Sequence, residues 1–176
     1  MGYYTEFTGT FKFEKPLAGR HLAYLQGFNE TNHYHWNPEL LQNELDPFRE
    51  AVGLPLGEHG CYFTGNHTTR GHDDQAWRYW KDHPAKLGEQ CPGKPYFRCG
   101  WRPGDDGTEL LADLDKFYDY VEWLQYLLDH FIVPWDYVLC GIVTWKGQDE
   151  EDIGTIIVSY NVLVELKGYA LDQRIL

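Results

Sequence analysis

Six of the eight histidines, His33, His35, His59, His67, His72 and His83, fall in one stretch of the chain, beside Cys61, Cys91, Asp73 and Asp74. Imidazole nitrogens and thiolates are the donors that zinc prefers, and four of them arranged as a tetrahedron would hold a loop-rich stretch in one shape. In the segment HYH, His33 and His35 can project from one side of an extended chain, with His59, Cys61, His67 and His72 as further ligands for a structural zinc. The spacing is irregular and no Cys-x-x-Cys pair occurs, so the same residues also read as surface polar groups. Nothing marks an open coordination position with a base beside it, which points to a structural metal rather than a catalytic one. A metal-dependent enzyme built on this stretch remains one alternative.

Other chemistry is sparse. Asp105 and Asp106 could act as an acid–base pair, but adjacent acids in a PGDDG segment are the usual formers of a turn. The run QDEED crowds four acids without the spaced ligands of a calcium loop. No GxSxG, HExxH, GxGxxG or phosphate-binding loop occurs, so the chain is expected to be non-catalytic. Arg70, Arg78, Arg98 and Arg102 could neutralise a phosphate while tyrosine or tryptophan rings stack on a base, which makes a small nucleotide-like ligand a second alternative.

The leading expectation comes from charge. The net charge is −12 over 176 residues, and it is concentrated. Residues 103 to 152 carry Asp105, Asp106, Glu109, Asp113, Asp115, Asp119, Glu122, Asp129, Asp136, Asp149, Glu150, Glu151 and Asp152 against Lys116 and Lys146 alone. Such a field repels nucleic acid and attracts basic surfaces. The same stretch holds Tyr118, Tyr120, Trp123, Tyr126, Trp135, Tyr137 and Trp145, more rings than one helix stripe can bury. Tyrosine and tryptophan ringed by carboxylates are typical of protein-binding hot spots, unless the middle of the chain folds back to cover them. The expected partner-binding set is Asp115, Asp119, Tyr120, Glu122, Trp123, Tyr126, Asp149, Glu150, Glu151 and Asp152, presented to a basic protein partner.

The elements that would position these residues can be read from periodicity. Aromatic alternation through YYTEFTGTFKF predicts a strand ending at Phe13, and Leu17, Leu22, Tyr24, Leu25 and Phe28 predict a helix after Pro16. Residues 30–95 read as a loop-rich excursion within a single domain spanning 1–176. PYFRCGW and TELLAD flank the PGDDG turn as a hairpin. Leu114, Phe117, Tyr118, Val121, Leu124, Leu128 and Phe131 recur at spacings of three and four, which predicts a helix from Asp113, as N-cap, to Phe131. YVLCGIVTWKG and GTIIVSYNVLVEL predict two long strands joined through QDEED. The fold class expected is therefore α+β: a mainly antiparallel sheet with two main helices packed on one face, an order that a ferredoxin-like variant would satisfy, plus the long insertion.

No apolar run approaches the roughly 18 residues needed to span a bilayer, and MGYYTEFTGT lacks a basic end followed by an apolar segment, so a cytoplasmic protein with no membrane contact is expected. The four cysteines are then expected as thiols rather than disulfides.

The start MGYYTEF, GLPLGEHGCYFTG (Gly53 to Gly65), WRPGDDGTEL (Trp101 to Leu110), the KFYDYVEWLQYL helix and the PWDYVLCG segment together resemble an uncharacterised family of small acidic bacterial and phage proteins. The resemblance covers nearly the whole chain apart from the middle excursion. It departs at Leu111 to Leu114, where a Trp-Asp-Gly-Gly-like stretch is usual, and at Cys140, where asparagine is usual. A phage or prophage origin is what the resemblance implies, with no catalytic residues attached. The basic partner would then be a nucleic-acid-handling or defence protein of the host.

Overall fold

Residues 2–30, 33, 50–54 and 98–169 are described by the computed structural model of the chain. They fall in two compact units, one comprising residues 1–18 and 100–176, the other residues 19–99. Each is taken by itself.

The first unit is a seven-stranded sheet in which every pairing is antiparallel. Strands β1 (Glu6–Thr8) and β2 (Phe11–Phe13) both lie along β5 (Leu139–Lys146). Thr8 pairs Thr144 and Phe11 pairs Gly141, so the two short strands are one line in unbroken register, interrupted at Gly9, whose φ is 103°. The expected single N-terminal strand is thus present as two pieces. A glycine at position 141 is required by the same contact, since a Cβ there would stand 2.7 Å from the Thr10 carbonyl oxygen.

Strands β3 (Trp101–Pro103) and β4 (Glu109–Ala112) form a hairpin around the expected Asp-Gly turn, with Gly107 at φ 70°, but the first strand runs on through Pro103, a residue expected in the turn, and residues 95–97 of the expected strand lie outside the described residues. The order across the sheet is β3-β4-β2-β5-β6-β7, where β6 is Ile153–Ser159 and β7 is Val162–Lys167. Chain order places helix α1 (Gly19–Glu30) after β2 and helix α2 (Tyr120–Leu127) before β5. Taking β1 and β2 as one strand, the first four strands of this unit stand side by side in the strand order of a ferredoxin-like sheet, and β6 and β7 extend it on one edge. The α+β antiparallel expectation holds.

Two boundaries differ from the periodicity reading. The helix expected from Asp113 begins at Tyr120 and passes after Leu127 into a π-helical turn, Leu128–Ile132. Asp113 is no N-cap: its N–H donates to the Gly100 carbonyl at 2.8 Å, beside the β3–β4 ladder. Phe117, though on the helical stripe, is buried ahead of the helix with its ring against Trp101 (5.4 Å) and Phe7 (5.8 Å), and Asp119 then turns the chain with φ 53°. Tertiary burial of one ring has overridden local periodicity. The second difference is GTIIVSYNVLVEL, which is two strands. Tyr160 and Asn161, with φ of 48° and 66°, form a two-residue hairpin loop between β6 and β7. Asn161 is fixed there by accepting from the Leu139 N–H (2.7 Å) and donating to the Tyr137 carbonyl (2.8 Å).

The core of this unit lies between α2 with its π-turn and one sheet face. Phe11, Trp101, Leu110, Trp123, Leu124, Leu128, Phe131, Leu139, Val143 and Ile156 are essentially inaccessible. Fully burying each such side chain is worth about 1.5–3 kcal/mol, which makes this layer the main source of stability.

In the second unit, α1 buries His21, Tyr24, Leu25, Phe28 and Asn29. Asn29 donates to the Cys99 carbonyl at 3.0 Å. Among the described residues no helix is long and apolar enough to cross a membrane.

Candidate functional site

The N-terminal segment laces two acidic stretches together. The Thr5 N–H donates to the Asp115 carbonyl (3.2 Å) and the Tyr3 N–H donates to the Tyr118 hydroxyl (3.0 Å), which holds residues 3–5 against the approach to α2. From the other end, the Tyr3 hydroxyl donates to the Asp152 carboxylate and accepts from the Asp149 N–H at 3.5 Å. The loop Gly147–Asp152 closes on itself through Gly147 N–H to Asp152 carbonyl (2.7 Å) and Asp152 N–H to Asp149 carbonyl (3.0 Å). Glycine at position 147 leaves room for this bond, since a Cβ there would push aside the Tyr3 hydroxyl and the Asp152 carboxylate.

Tyr120 stands at the start of α2 beside this lacing. Its ring meets Phe7 (5.1 Å), Trp145 (5.6 Å) and Phe117 (6.1 Å), and its carbonyl accepts from the Trp101 indole N–H at 2.7 Å. Burial raises the Tyr120 hydroxyl above the usual phenol range, and Glu165, Asp152, Glu122 and Tyr3 add to the effect. The group therefore stays protonated across the neutral range. Tyr3 is also raised, chiefly because its hydroxyl donates to Asp152. Glu165 reaches this neighbourhood from β7: it pairs Ile156, which pairs Val143, and all three lie on the sheet face that carries Trp145. Opposite Trp145 is Gly154, where a Cβ would stand 2.5 Å from the indole carbons. The Trp145 indole N–H is buried without a protein acceptor.

Of the expected partner-binding set, Asp149 and Asp152 are held by Tyr3, Asp115 is tied to Thr5 through its carbonyl, and Glu122 acts on Tyr120 by charge. Glu150 and Glu151 are exposed on the same loop, and Asp119 is half-buried at the head of α2. Trp123 and Tyr126 correct the expectation of rings left open for a partner. Both are buried, Trp123 with no accessible surface at all, because they point into the core with Leu124 and Leu127. The rings exposed beside the acids are instead Tyr4 and Tyr118, and Lys116 already sits over the Tyr4 ring at 4.8 Å. Sequence reasoning missed Tyr3 and Glu165, since one lies outside the acidic run and the other is a lone acid inside an apolar strand.

The remaining candidates are placed as follows. Arg102 is engaged by Asp105 (3.0 Å) and Asp113 (4.0 Å), so it meets carboxylates of its own chain where a phosphate contact was expected. Arg98 is exposed, while Arg70 and Arg78 lie outside the described residues. Asp106 is a turn former: it accepts from the Thr108 N–H (3.0 Å) and hydroxyl (2.7 Å), and the first of these bonds does most to hold its carboxyl below the usual range. His33 is buried, its Nε2 at 2.9 Å from the Phe28 carbonyl and its ring against that of Phe28. The other proposed zinc ligands, His35, His59, Cys61, His67 and His72, lie outside the described residues, among which no group of three or more candidate ligands is assembled. Compared with protein-family models, curated proteins and solved structures, the chain matches none.

Proposed function

We propose that the chain is a non-catalytic binding protein of phage or prophage type that docks a basic surface of a host protein, of the nucleic-acid-handling or defence kind, on the acidic face around Tyr3 and Tyr120. The observation that carries this reading is the lacing of Tyr3 to Tyr118 on one side and Asp152 on the other. Together with the Thr5 N–H bond to the Asp115 carbonyl and the charge of Glu122 felt by Tyr120, it brings acids far apart in sequence around the rings of Phe7, Phe117 and Trp145, of which Phe117 and Trp145 are buried. A concentration of carboxylates beside low-dielectric rings focuses a negative field and steers a cationic partner toward it. Tyr4 and Tyr118 supply exposed rings for cation–π contact with the partner's lysine or arginine side chains.

The test is affinity against ionic strength for a partner captured from the natural host. Raising salt from 0.1 M to 1 M shortens the screening length from about 10 Å to about 3 Å, so binding should collapse. Replacing Asp149, Glu150 and Glu151 together by their amides should flatten that dependence. A partner whose affinity ignores salt and survives the triple change would end this reading.

A further inference from the structure

The two edges of the sheet are built differently. The β3 edge is three residues long and contains Pro103, which has no N–H to offer another strand. The β7 edge is six residues long, has no proline, and ends the order of strands among the described residues. The Gly168 N–H donates to the Ile153 carbonyl at 2.7 Å. Antiparallel ladders repeat every second residue, so the backbone groups of Val162, Val164 and Leu166 face β6, and those of Leu163, Glu165 and Lys167 point outward. Val162, Val164 and Leu166 share one sheet face with Ile157 and Ile142, and they are 64%, 47% and 37% exposed.

We infer that a second copy of this chain pairs on this edge, β7 against β7 in antiparallel register about a two-fold axis at Leu166. Charge selects both occupant and register. From Ile153 to Tyr169 the only charged residues are Glu165 and Lys167, so this hairpin is locally neutral in a chain of net charge −12 and is where a second acidic copy can approach. Pairing about Leu166 sets Glu165 directly opposite Lys167 of the partner subunit, and the reverse. Within one copy the same two side chains already lie 3.7 Å apart, so the four charges alternate in sign around the axis. The two residues that would face each other are those whose backbone groups point outward, so the ladder bonds and the ion pairs arise together. Opposite Val164 this register places Gly168 of the partner subunit, a position with open space where a Cβ would be. Leu166 meets its own copy on the face that also carries Val164, so the apolar contact across the axis is Leu166 against Leu166, with Val164 set over the open position at Gly168. Contact between two short strands falls in the small, transient class of interfaces, under about 1,200 Å².

Sedimentation velocity of the full chain over a rising concentration series reads the outcome. A reversible monomer–dimer equilibrium is expected, and a chain that stays monomeric throughout overturns the inference. Glu165→Pro deletes an outward N–H that the β6–β7 ladder does not use, and should raise the dimer dissociation constant at least tenfold. Lys167→Glu, which sets like charges opposite each other, should do the same, and Glu165→Lys combined with Lys167→Glu should restore wild-type association. If Lys167→Glu dimerises as well as wild type, or the double exchange fails to rescue it, the proposed register is wrong. Circular dichroism of each variant separates lost pairing from lost fold.

Discussion

The hydroxyl of Tyr3 donates to the carboxylate of Asp152, a residue 149 positions further along the chain. This bond closes the ring of contacts that gives the acidic loop a fixed position, and removing it should release the loop without opening the core. Tyr3→Phe is expected to speed amide hydrogen exchange from Asp149 to Asp152 while leaving β5 and β6 protected, and to weaken partner binding in proportion. Unchanged exchange in the loop would show that Tyr3 does not hold it.

Buried and exposed members of one helix separate structural from binding roles. Trp123→Ala removes a fully buried indole and should cost about 3–5 kcal/mol of stability, seen as a lower denaturant midpoint. Glu122→Gln, one residue away and exposed, should change stability by less than about 0.5 kcal/mol yet reduce affinity for the basic partner.

How far the sequence reaches is visible at these residues. Alternation and β-branched content are local properties, and they located β5, β6 and β4 with its Asp-Gly turn, because each strand there pairs with a sequence neighbour; β3 was placed too early, since Pro103 reads as a turn residue. The start of α2 was not legible, since Phe117 obeys helical spacing but is taken by Trp101 and Phe7, partners from distant strands. The β6–β7 turn was missed because Tyr160 carries no turn signal, and only Asn161 tolerates a left-handed backbone readily. At the candidate site, the acidic run announced Glu122 and the Asp149–Asp152 loop by composition. Composition could not announce Tyr3 or Glu165, whose roles depend on strand order and register.

The Tyr160–Asn161 turn makes a paired prediction. Asn161→Gly keeps a residue at ease with φ 66° but strips the bonds to Leu139 N–H and Tyr137 carbonyl, so it should destabilise by about 1–3 kcal/mol. Tyr160→Gly relieves a left-handed tyrosine whose side chain is exposed, and should be neutral or stabilising.

Glycine positions test the packing around Trp145. Gly154→Ala would thrust a methyl group at the indole ring from 2.5 Å, in a core that has no room to yield, and should cost about 1–3 kcal/mol. Gly19→Ala opens α1 with nothing within 4 Å of the new methyl group, and alanine lowers the entropy of the unfolded chain, so a gain of about 0.4–1 kcal/mol is expected. Equal thermal midpoints for the two variants would contradict the tight Trp145–Gly154 contact.

His21 contributes to the acid side of the stability profile. It is buried in α1, and desolvation first, with Arg20 nearby second, lowers its pKa below the ordinary value of 6.5. Above that value the imidazole is neutral in both folded and unfolded chains, and its protonation takes nothing from stability. As pH falls below about 6.5 the unfolded chain binds the proton first, so stability declines until the folded-state pKa is reached and then levels off. Urea midpoints measured from pH 7.5 down to pH 5 should therefore fall, and His21→Gln should remove part of that slope while leaving the carboxylate-dependent loss at lower pH. A His21→Gln profile parallel to wild type between pH 7.5 and pH 5 would show that this histidine is not held in its neutral form by burial.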